Sequence, residues 1–316
     1  MAYNLKEIVK RKTRFSAGHR MCAGCGAPPV VRGVLSAVKE DDNLVITSAT
    51  GCLEVSSCIY PYTSWKNSSF IHSAFENASA TCSGIEATYN VLKKAGKLPA
   101  DKATKFIAFG GDGGTYDIGL QSLSGAMERG HDMVYVCYDN GAYMNTGTQR
   151  SSATPKFADT TTAPAGKVIP GKLQARKDLT EIIAKHNIPY VAQTALLNNF
   201  KDIHEKSEKA IYTEGACFLS VLSPCPRGWG YPTEMLMEIS KLAIDTCFWP
   251  LYEIKDGVYT INHKPAKKLP IEEFLRPQKR FKHMFKEGNE WMIESFQKEV
   301  DKKWEYLLAM EELTNK

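Results

Sequence analysis

Two polar residues, Asp112 and Asn140, each stand just after an apolar run of the sequence. Residues 106–109 form the first run, which breaks into the glycine-rich stretch 110–114, and residues 133–138 form the second. Because helix-compatible residues lie between them, the pattern predicts a strand–turn–helix–strand unit, which in a parallel sheet is right-handed. Such a unit brings both polar residues to the carboxyl ends of its strands, where open α/β sheets bind ligands.

The chemistry that suits these residues is a diphosphate held through a divalent metal ion. Glycines let backbone N–H groups approach phosphate oxygens, and the N-terminus of the following helix adds a favourable dipole. The Asp112 carboxylate and the Asn140 amide oxygen are hard ligands of the kind that Mg²⁺ binds together with phosphate. The alternative is an ordinary βαβ turn, but a second hard ligand after the next strand favours the metal site.

Four of the nine cysteines have the surroundings of metal ligands. Cys22 and Cys25 form a C-x-x-C pair, whereas Cys52 and Cys225 each follow a predicted strand and can converge on the edge that carries the glycine turn. The basic N-terminal residues lack the apolar core of a secretory signal, so we expect metal ligation instead of disulfides. Four thiolates suit structural zinc or a [4Fe–4S] cluster, and one close pair with two scattered ligands favours the cluster. The other five are expected to be buried small hydrophobic residues: Cys58, Cys82, Cys137, Cys217 and Cys247.

The composition is that of a globular protein. Of the 316 residues, 24% are charged and 43% are hydrophobic, and no apolar run approaches the roughly 20 residues that a membrane-spanning helix needs. The net charge of +5 is mild, and no basic block is interleaved with aromatic residues, so we expect no nucleic-acid binding. We expect a cytoplasmic protein without membrane contact.

The periodicity of the chain predicts an α/β fold, with a doubly wound, mainly parallel sheet and a C-terminal helical extension. We expect the main domain over residues 1–248 and the extension over residues 249–316. Strands are predicted at 44–46, 106–109, 133–138, 190–194 and 216–222, and helices at 28–39, 75–94, 120–127, 179–186, 199–212, 234–247 and 290–310.

Two loops and one helix face call for separate predictions. Residues 60–70 are too rich in turn residues for regular structure, and residues 150–172 form a long loop of the kind that is usually functional. The last helix carries an apolar stripe that fits packing either on its own domain or on a partner subunit: Phe296, Val300, Trp304 and Leu308.

Long segments of the chain resemble the β subunits of pyruvate:ferredoxin oxidoreductases, within the 2-oxoacid:ferredoxin oxidoreductase superfamily. The GDG stretch followed by Asn140 resembles a thiamine diphosphate fingerprint. The resemblance extends in order over nearly the whole chain, through GHRMCAGCGAPPVVRGVL, ATGCLEV, YPYTSW, AFENASA, FGGDGGTYDIGLQSLSGAMERGHDMVYVCYDNGAYMNTGTQRS, TTTAPAGK, LSPCPRGW, WPLYEI, LPIEEFL and KRFKHMF.

The resemblance implies a thiamine diphosphate-binding domain of the diphosphate type and a role for individual positions. Ligands of a [4Fe–4S] cluster would be Cys22, Cys25, Cys52 and Cys225. Ligands of Mg²⁺ would be Asp112, Asn140 and the Ala142 carbonyl. The remaining cofactor contacts would come from Gly51, Gly111, Gly113 and Gly114, with Asn145 facing the reacting end of the cofactor as a catalytic residue.

The implied activity is oxidative decarboxylation of a 2-oxoacid, with pyruvate as the first choice. Thiamine diphosphate would act as electron sink while carbon dioxide leaves, the cluster would take electrons one at a time, and coenzyme A would accept the acyl group. An α-type partner subunit would supply the pyrimidine domain and the activating glutamate. A ferredoxin-like subunit or ferredoxin would receive the electrons.

The sequence departs from the family pattern at three places. Residues 67–70 are polar where an apolar stretch is usual, the helix after AFEN carries Ser79, Thr81 and Cys82, and Gly141 replaces an acidic residue. These changes fit either a more polar substrate, such as oxalate without coenzyme A, or drift outside the pocket. Rival readings from other classes are an iron–sulfur electron-transfer subunit without catalysis and a zinc-stabilised interaction subunit.

Overall fold

A computed structural model describes residues 3–99, 102–197 and 200–316, and its centre is a mixed β-sheet. The strands in these ranges are β1 (Asn43–Ala49), β2 (Cys58–Ile59), β3 (Tyr62–Thr63), β4 (Ser69–Ser73), β5 (Thr104–Gly111), β6 (Val134–Asp139), β7 (Tyr190–Thr194), β8 (Cys217–Leu222), β9 (Tyr252–Lys255) and β10 (Val258–Ile261). Eight of these described strands form the main sheet in the order β10-β9-β7-β8-β6-β5-β1-β4, and β2 pairs with β3 alone. The pairs from β7 to β4 are parallel, whereas β9 and β10 are antiparallel additions.

Helices connect these strands and cover the sheet. The α-helices of the described ranges are α1 (Leu5–Ile8), α2 (Ala27–Leu35), α3 (Cys52–Ser57), α4 (Ala78–Lys94), α5 (Leu120–Glu128), α6 (Leu179–Ala184), α7 (Lys201–Tyr212), α8 (Pro226–Trp229), α9 (Leu236–Asp245), α10 (Ile271–Leu275) and α11 (Glu290–Thr314). A π-helical turn spans Gly114–Ile118, and 3₁₀-helices span Thr233–Met235 and Lys279–Phe285. None of the helices in the described ranges has the length and apolar character needed to cross a membrane.

Alternating side chains of the strands build two separate cores. Neighbouring residues of a strand point to opposite faces, so Ile107 packs with helices α2 and α7 on one face, whereas Ala108 packs with α4, α5 and α6 on the other. Val136 and Tyr135 divide between the faces in the same way. Both faces of the sheet are covered, which confirms the prediction of a doubly wound α/β fold.

The predicted strands and long helices are present, with ends shifted by a few residues, except that residue 199 of one predicted helix lies outside the described residues. The prediction of an irregular loop over 60–70 was wrong at two places: β3 (Tyr62–Thr63) pairs with β2, and β4 begins at Ser69 and pairs with β1. Four of the five β4 residues are not fully buried. An edge strand of this kind needs no apolar alternation, so the sequence carried little signal for it.

A hairpin after residue 248 was also missed. Strands β9 and β10 are joined by Asp256 and Gly257, which have φ angles of 48° and 82°. Asp-Gly is the preferred pair for a two-residue hairpin turn, so this signal was present in the sequence. Because β9 pairs with β7, residues beyond 248 contribute to the same sheet as the residues before it.

Helix α11 packs on its own chain. Phe296 and Val300 are buried in a third core with Trp249 and Phe274, and Leu307 is buried against the sheet core. Leu308, the last residue of the predicted stripe, lies off the face that packs on this chain: it is 36% exposed, whereas Leu307 is fully buried. A helix has 3.6 residues per turn, so a strict spacing of four drifts off the packed face within three turns.

Two neighbouring leucines of α11 provide a matched test of this packing. Leu307→Ala should lower the free energy of unfolding by about 2–5 kcal/mol, because it leaves a cavity in the core. Leu308→Ala makes the same chemical change on the exposed side and should cost below about 1 kcal/mol. Urea unfolding of both variants measures the difference, and equal losses would contradict the assigned helix face.

Candidate active site

Asp112 and Asn140 lie next to each other at the carboxyl edge of the sheet. Strands β5 and β6 are parallel neighbours, with Gly111 paired to Tyr138, so the residues after each strand leave at the same level. The backbone N–H of Asn140 donates to Asp112 Oδ1 at 3.2 Å. Both side chains are buried, Asp112 almost completely. The structure thus brings together the two residues that the sequence pairs as metal ligands.

The side-chain amide of Asn140 faces two oxygen atoms. With its nitrogen turned toward them, it donates to Asp112 Oδ1 at 2.9 Å and to the Ala142 carbonyl oxygen at 2.8 Å. With its oxygen turned toward them, the Asn140 amide places an oxygen within 2.9 Å of both the Asp112 and the Ala142 oxygens. Oxygens repel one another in that arrangement unless a cation lies between them, and a hard divalent cation fits such a set.

Ser151 is a site residue that the sequence did not reveal. Its hydroxyl donates to Asp112 Oδ2 at 2.6 Å, and Thr154 Oγ1 donates to the Gly141 carbonyl at 2.7 Å. Both come from the long loop over 150–172, which was predicted to be functional as a whole. A serine in an aperiodic loop carries no signal of its own, so the individual residues could not be selected.

Burial of Asp112 disfavours its charged form. Desolvation and the nearby Asp139 carboxylate together raise the pKa of Asp112 to about 8, although the bonds from Ser151 and the Asn140 N–H oppose the shift. The carboxylate therefore lacks a compensating charge of its own, which a bound cation would supply.

A second buried carboxylate, Asp139, is neutralised by Arg176, which was also missed. The guanidinium of Arg176 contacts both Asp139 oxygens and donates to the Ala153 carbonyl at 2.7 Å. It also lies 4.8 Å from the ring centroid of Trp249. Burial by itself lowers the pKa of Arg176, but the Asp139 charge outweighs it and raises the pKa further. The pair fixes the end of β6 to the loop that carries Ser151.

The glycines after β5 are required by close packing. A Cβ atom on Gly113 would lie 2.5 Å from the ring of Tyr143, and one on Gly114 would lie 2.7 Å from the Phe75 carbonyl oxygen. Gly111 lies close to Tyr138. The helical run that starts at residue 112 continues as a π-helical turn, a rare geometry that is frequent at functional sites. At these three positions, glycine lets the backbone lie close to neighbouring groups, which can be side chains or a ligand.

The four candidate cysteine ligands converge near this edge. The Gly26 N–H donates to the Pro224 carbonyl at 2.9 Å, which joins the C-x-x-C loop to the loop of Cys225. Burial raises the pKa of Cys25 to about 12, and the thiols of the other three raise it further: Cys22, Cys52 and Cys225. The interaction of Cys25 with each of the other three indicates that the four thiols lie in one region.

Backbone N–H groups point at two of these sulfurs. Gly228 N lies 3.4 Å from Cys225 Sγ, and the N–H of Ala27 donates to the Cys25 sulfur. Within the described ranges no three His, Cys, Asp or Glu side chains are close enough to hold a single metal ion. Cys52 also interacts with Asp112, and its neighbour Gly51 lies against the Tyr138 hydroxyl, so the thiols and the oxygen ligands share one region.

The other predicted residues lie as follows. Asn145 is exposed in a turn that is closed by the Thr148 N–H donating to the Tyr143 carbonyl at 2.9 Å. Cys58 is half-buried, contrary to the prediction that all five remaining cysteines are fully buried; the four that are buried are Cys82, Cys137, Cys217 and Cys247.

Most departures from the family pattern lie away from this region. Ser69 pairs with Val45 near the beginning of β1, at the opposite end of the strand from the site. The carbonyl of Asn67 accepts a bond of 2.6 Å from Arg14 at that same end. Ser79 lies between α4 and α5, where its hydroxyl is 2.8 Å from the hydroxyl of Ser122. Gly141 is the exception, since it follows Asn140 directly.

Comparison with known proteins identifies close relatives. The family described as thiamine pyrophosphate enzyme, C-terminal TPP binding domain, matches residues 49–221. Pyruvate synthase subunit PorB of Thermotoga maritima is 50% identical over 99% of this chain and 98% of its own length. The PorB subunit of Methanocaldococcus jannaschii is 53% identical over 94% and 97%. Ketoisovalerate oxidoreductase subunit VorB of Pyrococcus abyssi is 44% identical over 97% and 98%.

A solved structure supports the fold alone. The 2-oxoglutarate:ferredoxin oxidoreductase of Magnetococcus marinus superposes with a TM-score of 0.55 at 19% identity, over 72% of this chain and 79% of that chain.

The Asp139–Arg176 pair leads to a stability prediction. Arg176→Met should lower the free energy of unfolding by about 3–5 kcal/mol, because it leaves the Asp139 carboxylate buried without a counter-charge. Adding Asp139→Asn should recover part of that loss. Lys10→Met breaks an exposed pair with Glu7, whose side chains are 69% and 59% exposed, and should cost about 1 kcal/mol or less. Urea unfolding measures all three, and a loss for Arg176→Met as small as that for Lys10→Met would refute the assigned role.

Proposed function

We propose a function from one premise: this chain belongs to the family of β subunits of pyruvate synthase-type 2-oxoacid:ferredoxin oxidoreductases. The proposed activity is oxidative decarboxylation of a 2-oxoacid, with pyruvate as the substrate, electron transfer to ferredoxin and acyl transfer to coenzyme A. The observation that carries the proposal is the oxygen set of Asp112, Asn140 and Ala142 beside four converging thiols.

The oxygen set fits a Mg²⁺ ion that holds a diphosphate. The Asp112 carboxylate, the Asn140 amide oxygen and the Ala142 carbonyl would be its protein ligands, and the ion would supply the charge that the buried Asp112 lacks. Gly111, Gly113, Gly114 and Gly51 would let the backbone approach the cofactor. Thiamine diphosphate, when bound, supplies a carbon nucleophile and an electron sink for loss of carbon dioxide. Ser151 and Arg176 hold the loops that carry these ligands in fixed positions.

The four thiols fit a [4Fe–4S] cluster better than a zinc ion. A four-iron cluster is larger than one ion, so its cysteine sulfurs stand wider apart, in keeping with thiols that interact without closing a single-ion site. The N–H groups of Gly228 and Ala27 would stabilise bound thiolates at Cys225 and Cys25. The cluster would accept one electron at a time.

Partner subunits complete the proposed enzyme. The matched domain is the C-terminal TPP-binding domain, so we assign the pyrimidine domain and the activating glutamate to an α-type subunit. A ferredoxin-like subunit or ferredoxin receives the electrons. Asn145 is exposed on this chain and is therefore available to face the reacting end of the cofactor.

The structure weakens the case for a more polar substrate. Three changes were the reason to consider oxalate: residues 67–70, the polar residues Ser79, Thr81 and Cys82, and Gly141. Residues 67–70 lie at the opposite end of β1 from the site, whereas Gly141 follows Asn140 directly. A relative that is named for ketoisovalerate is 44% identical. Overall similarity therefore does not separate pyruvate from a branched 2-oxoacid, and 2-ketoisovalerate serves as a comparison substrate.

Activity of the intact complex tests the proposed function. The anaerobically purified complex should reduce methyl viologen with pyruvate only when coenzyme A is present. The isolated chain should be inactive, because the groups that activate the cofactor lie on the partner. Asp112→Asn should reduce turnover at saturating pyruvate by at least about tenfold through weaker Mg²⁺ binding, whereas Asp245→Asn, on helix α9, should not.

Parallel assays with 2-ketoisovalerate and oxalate, each with and without coenzyme A, identify the substrate. Turnover on oxalate without coenzyme A, at the expense of pyruvate, would refute the pyruvate assignment. Turnover by the chain alone would refute the assigned partner.

Metal analysis tests the cluster separately. Cys225→Ser should lower the iron and acid-labile sulfide bound per chain, because one ligand of the cluster is lost. Cys58→Ser changes a half-buried cysteine outside the set and should leave both contents unchanged. Zinc without sulfide in the unmodified protein would show that the thiols form a structural metal site instead.

A further inference from the structure

Arg280 is a buried cation close to both halves of the site. It lies in the 3₁₀-helix Lys279–Phe285 and is 5% exposed. Its Nε donates to Gln278 Oε1 at 2.8 Å, and its guanidinium lies 4.0 Å from the ring centroid of Trp229. Trp229 in turn donates its indole N–H to the Asn140 carbonyl at 2.6 Å. These contacts fix the guanidinium against the turn that carries the proposed Mg²⁺ ligands.

One end of this guanidinium has unmet hydrogen-bonding capacity. Among the residues that the structure describes, no acceptor binds Nη2, although it is buried. Leaving a buried charged donor unsatisfied is costly, so the position indicates an acceptor that binds there. Cys225 caps the helical turn Pro226–Trp229, and the Trp229 N–H donates to the Cys225 carbonyl at 2.9 Å, so the guanidinium stacked on Trp229 lies over the turn that Cys225 opens.

Burial lowers the pKa of Arg280 to about 9, and Cys225 works against that shift. The guanidinium is charged at neutral pH, because arginine keeps its proton in proteins. A permanent positive charge next to a cysteine ligand is an electrostatic influence on whatever that cysteine binds.

We propose that Arg280 sets the reduction potential of the cluster bound through Cys225, by placing a buried positive charge and a free N–H donor beside its thiolate. The inference rests on the proposed function, because it requires the cluster. Reduction adds one electron to an already negative thiolate-bound cluster. A nearby cation stabilises that reduced state more than the oxidised state, so it raises the potential. Arg280 is thus a positioning residue, acting through Cys225.

A redox titration followed by electron paramagnetic resonance tests this role in the anaerobically purified complex, with dithionite as reductant. The signal that Cys225→Ser removes identifies the cluster of this chain. Arg280→Gln should shift its midpoint potential to a more negative value, because the charge is lost while donors remain. Arg280→Lys should keep most of the unmodified potential. Arg276→Gln, which removes a guanidinium that is 65% exposed in its side chain, should leave the potential unchanged.

The outcomes separate this inference from the proposed function. An unchanged potential in Arg280→Gln, with iron and sulfide at the unmodified level, would overturn the role of Arg280 and leave the enzyme assignment intact. Absence of iron and sulfide from the unmodified complex would overturn the proposed function and this inference together. A potential in Arg280→Lys as negative as that in Arg280→Gln, with iron and sulfide retained in both, would also overturn the role of the charge.

Discussion

Two carboxylates, Asp112 and Asp139, are buried side by side at the ends of neighbouring strands, and the site depends on how their charges are balanced. Asp139 is paired with Arg176 inside the protein. Among the residues that the structure describes, the hydrogen-bond donors to Asp112 are neutral: Ser151 and the Asn140 N–H. A buried anion with neutral partners is unfavourable. The imbalance is confined to one carboxylate, and that carboxylate faces the Asn140 amide. The fold therefore pairs Asp139 with a cation of its own and leaves Asp112 hydrogen-bonded to neutral groups, as the proposed Mg²⁺ site would need.

The loop after residue 150 maintains this arrangement. Lys172 is buried and donates to three carbonyl oxygens, those of Ser152, Thr154 and Ala175. Ser152 N also donates to Asp117 Oδ2 at 3.0 Å, beside the π-helical turn. Through these three bonds, one buried ammonium group holds the two ends of the loop together. An aperiodic loop can thus present Ser151 and Arg176 in fixed positions without regular secondary structure.

The sequence predicted those site residues that follow a predicted strand or belong to a known ligand pair. Asp112, Asn140 and the candidate cysteines follow apolar runs or form a C-x-x-C pair, so their convergence could be inferred from the rule that parallel strands end at one edge. Ser151, Arg176 and Arg280 stand in an aperiodic loop and a 3₁₀-helix, and their positions depend on tertiary contacts that no local pattern encodes. Leu308 shows a different limit, since a spacing of four was extended further than a helix with 3.6 residues per turn permits. Asp256 and Gly257 form a typical pair for a hairpin turn, so the sequence alone contained a signal for this hairpin.

The location of the cationic side chains explains how two inorganic groups can share one edge. Bound Mg²⁺ would add positive charge next to Asp112, whereas a thiolate-bound cluster would add negative charge next to Cys52, which itself interacts with Asp112. Arg176 and Arg280 repel each other, yet Arg280 is buried here and the Arg176 side chain is only 17% exposed. That repulsion is tolerable only if each has its own anion. Asp139 serves Arg176, and a cluster at Cys225 would serve Arg280. The Arg280 guanidinium and the Asp112 carboxylate therefore mark, with opposite signs, the places of the two groups that we propose for this edge.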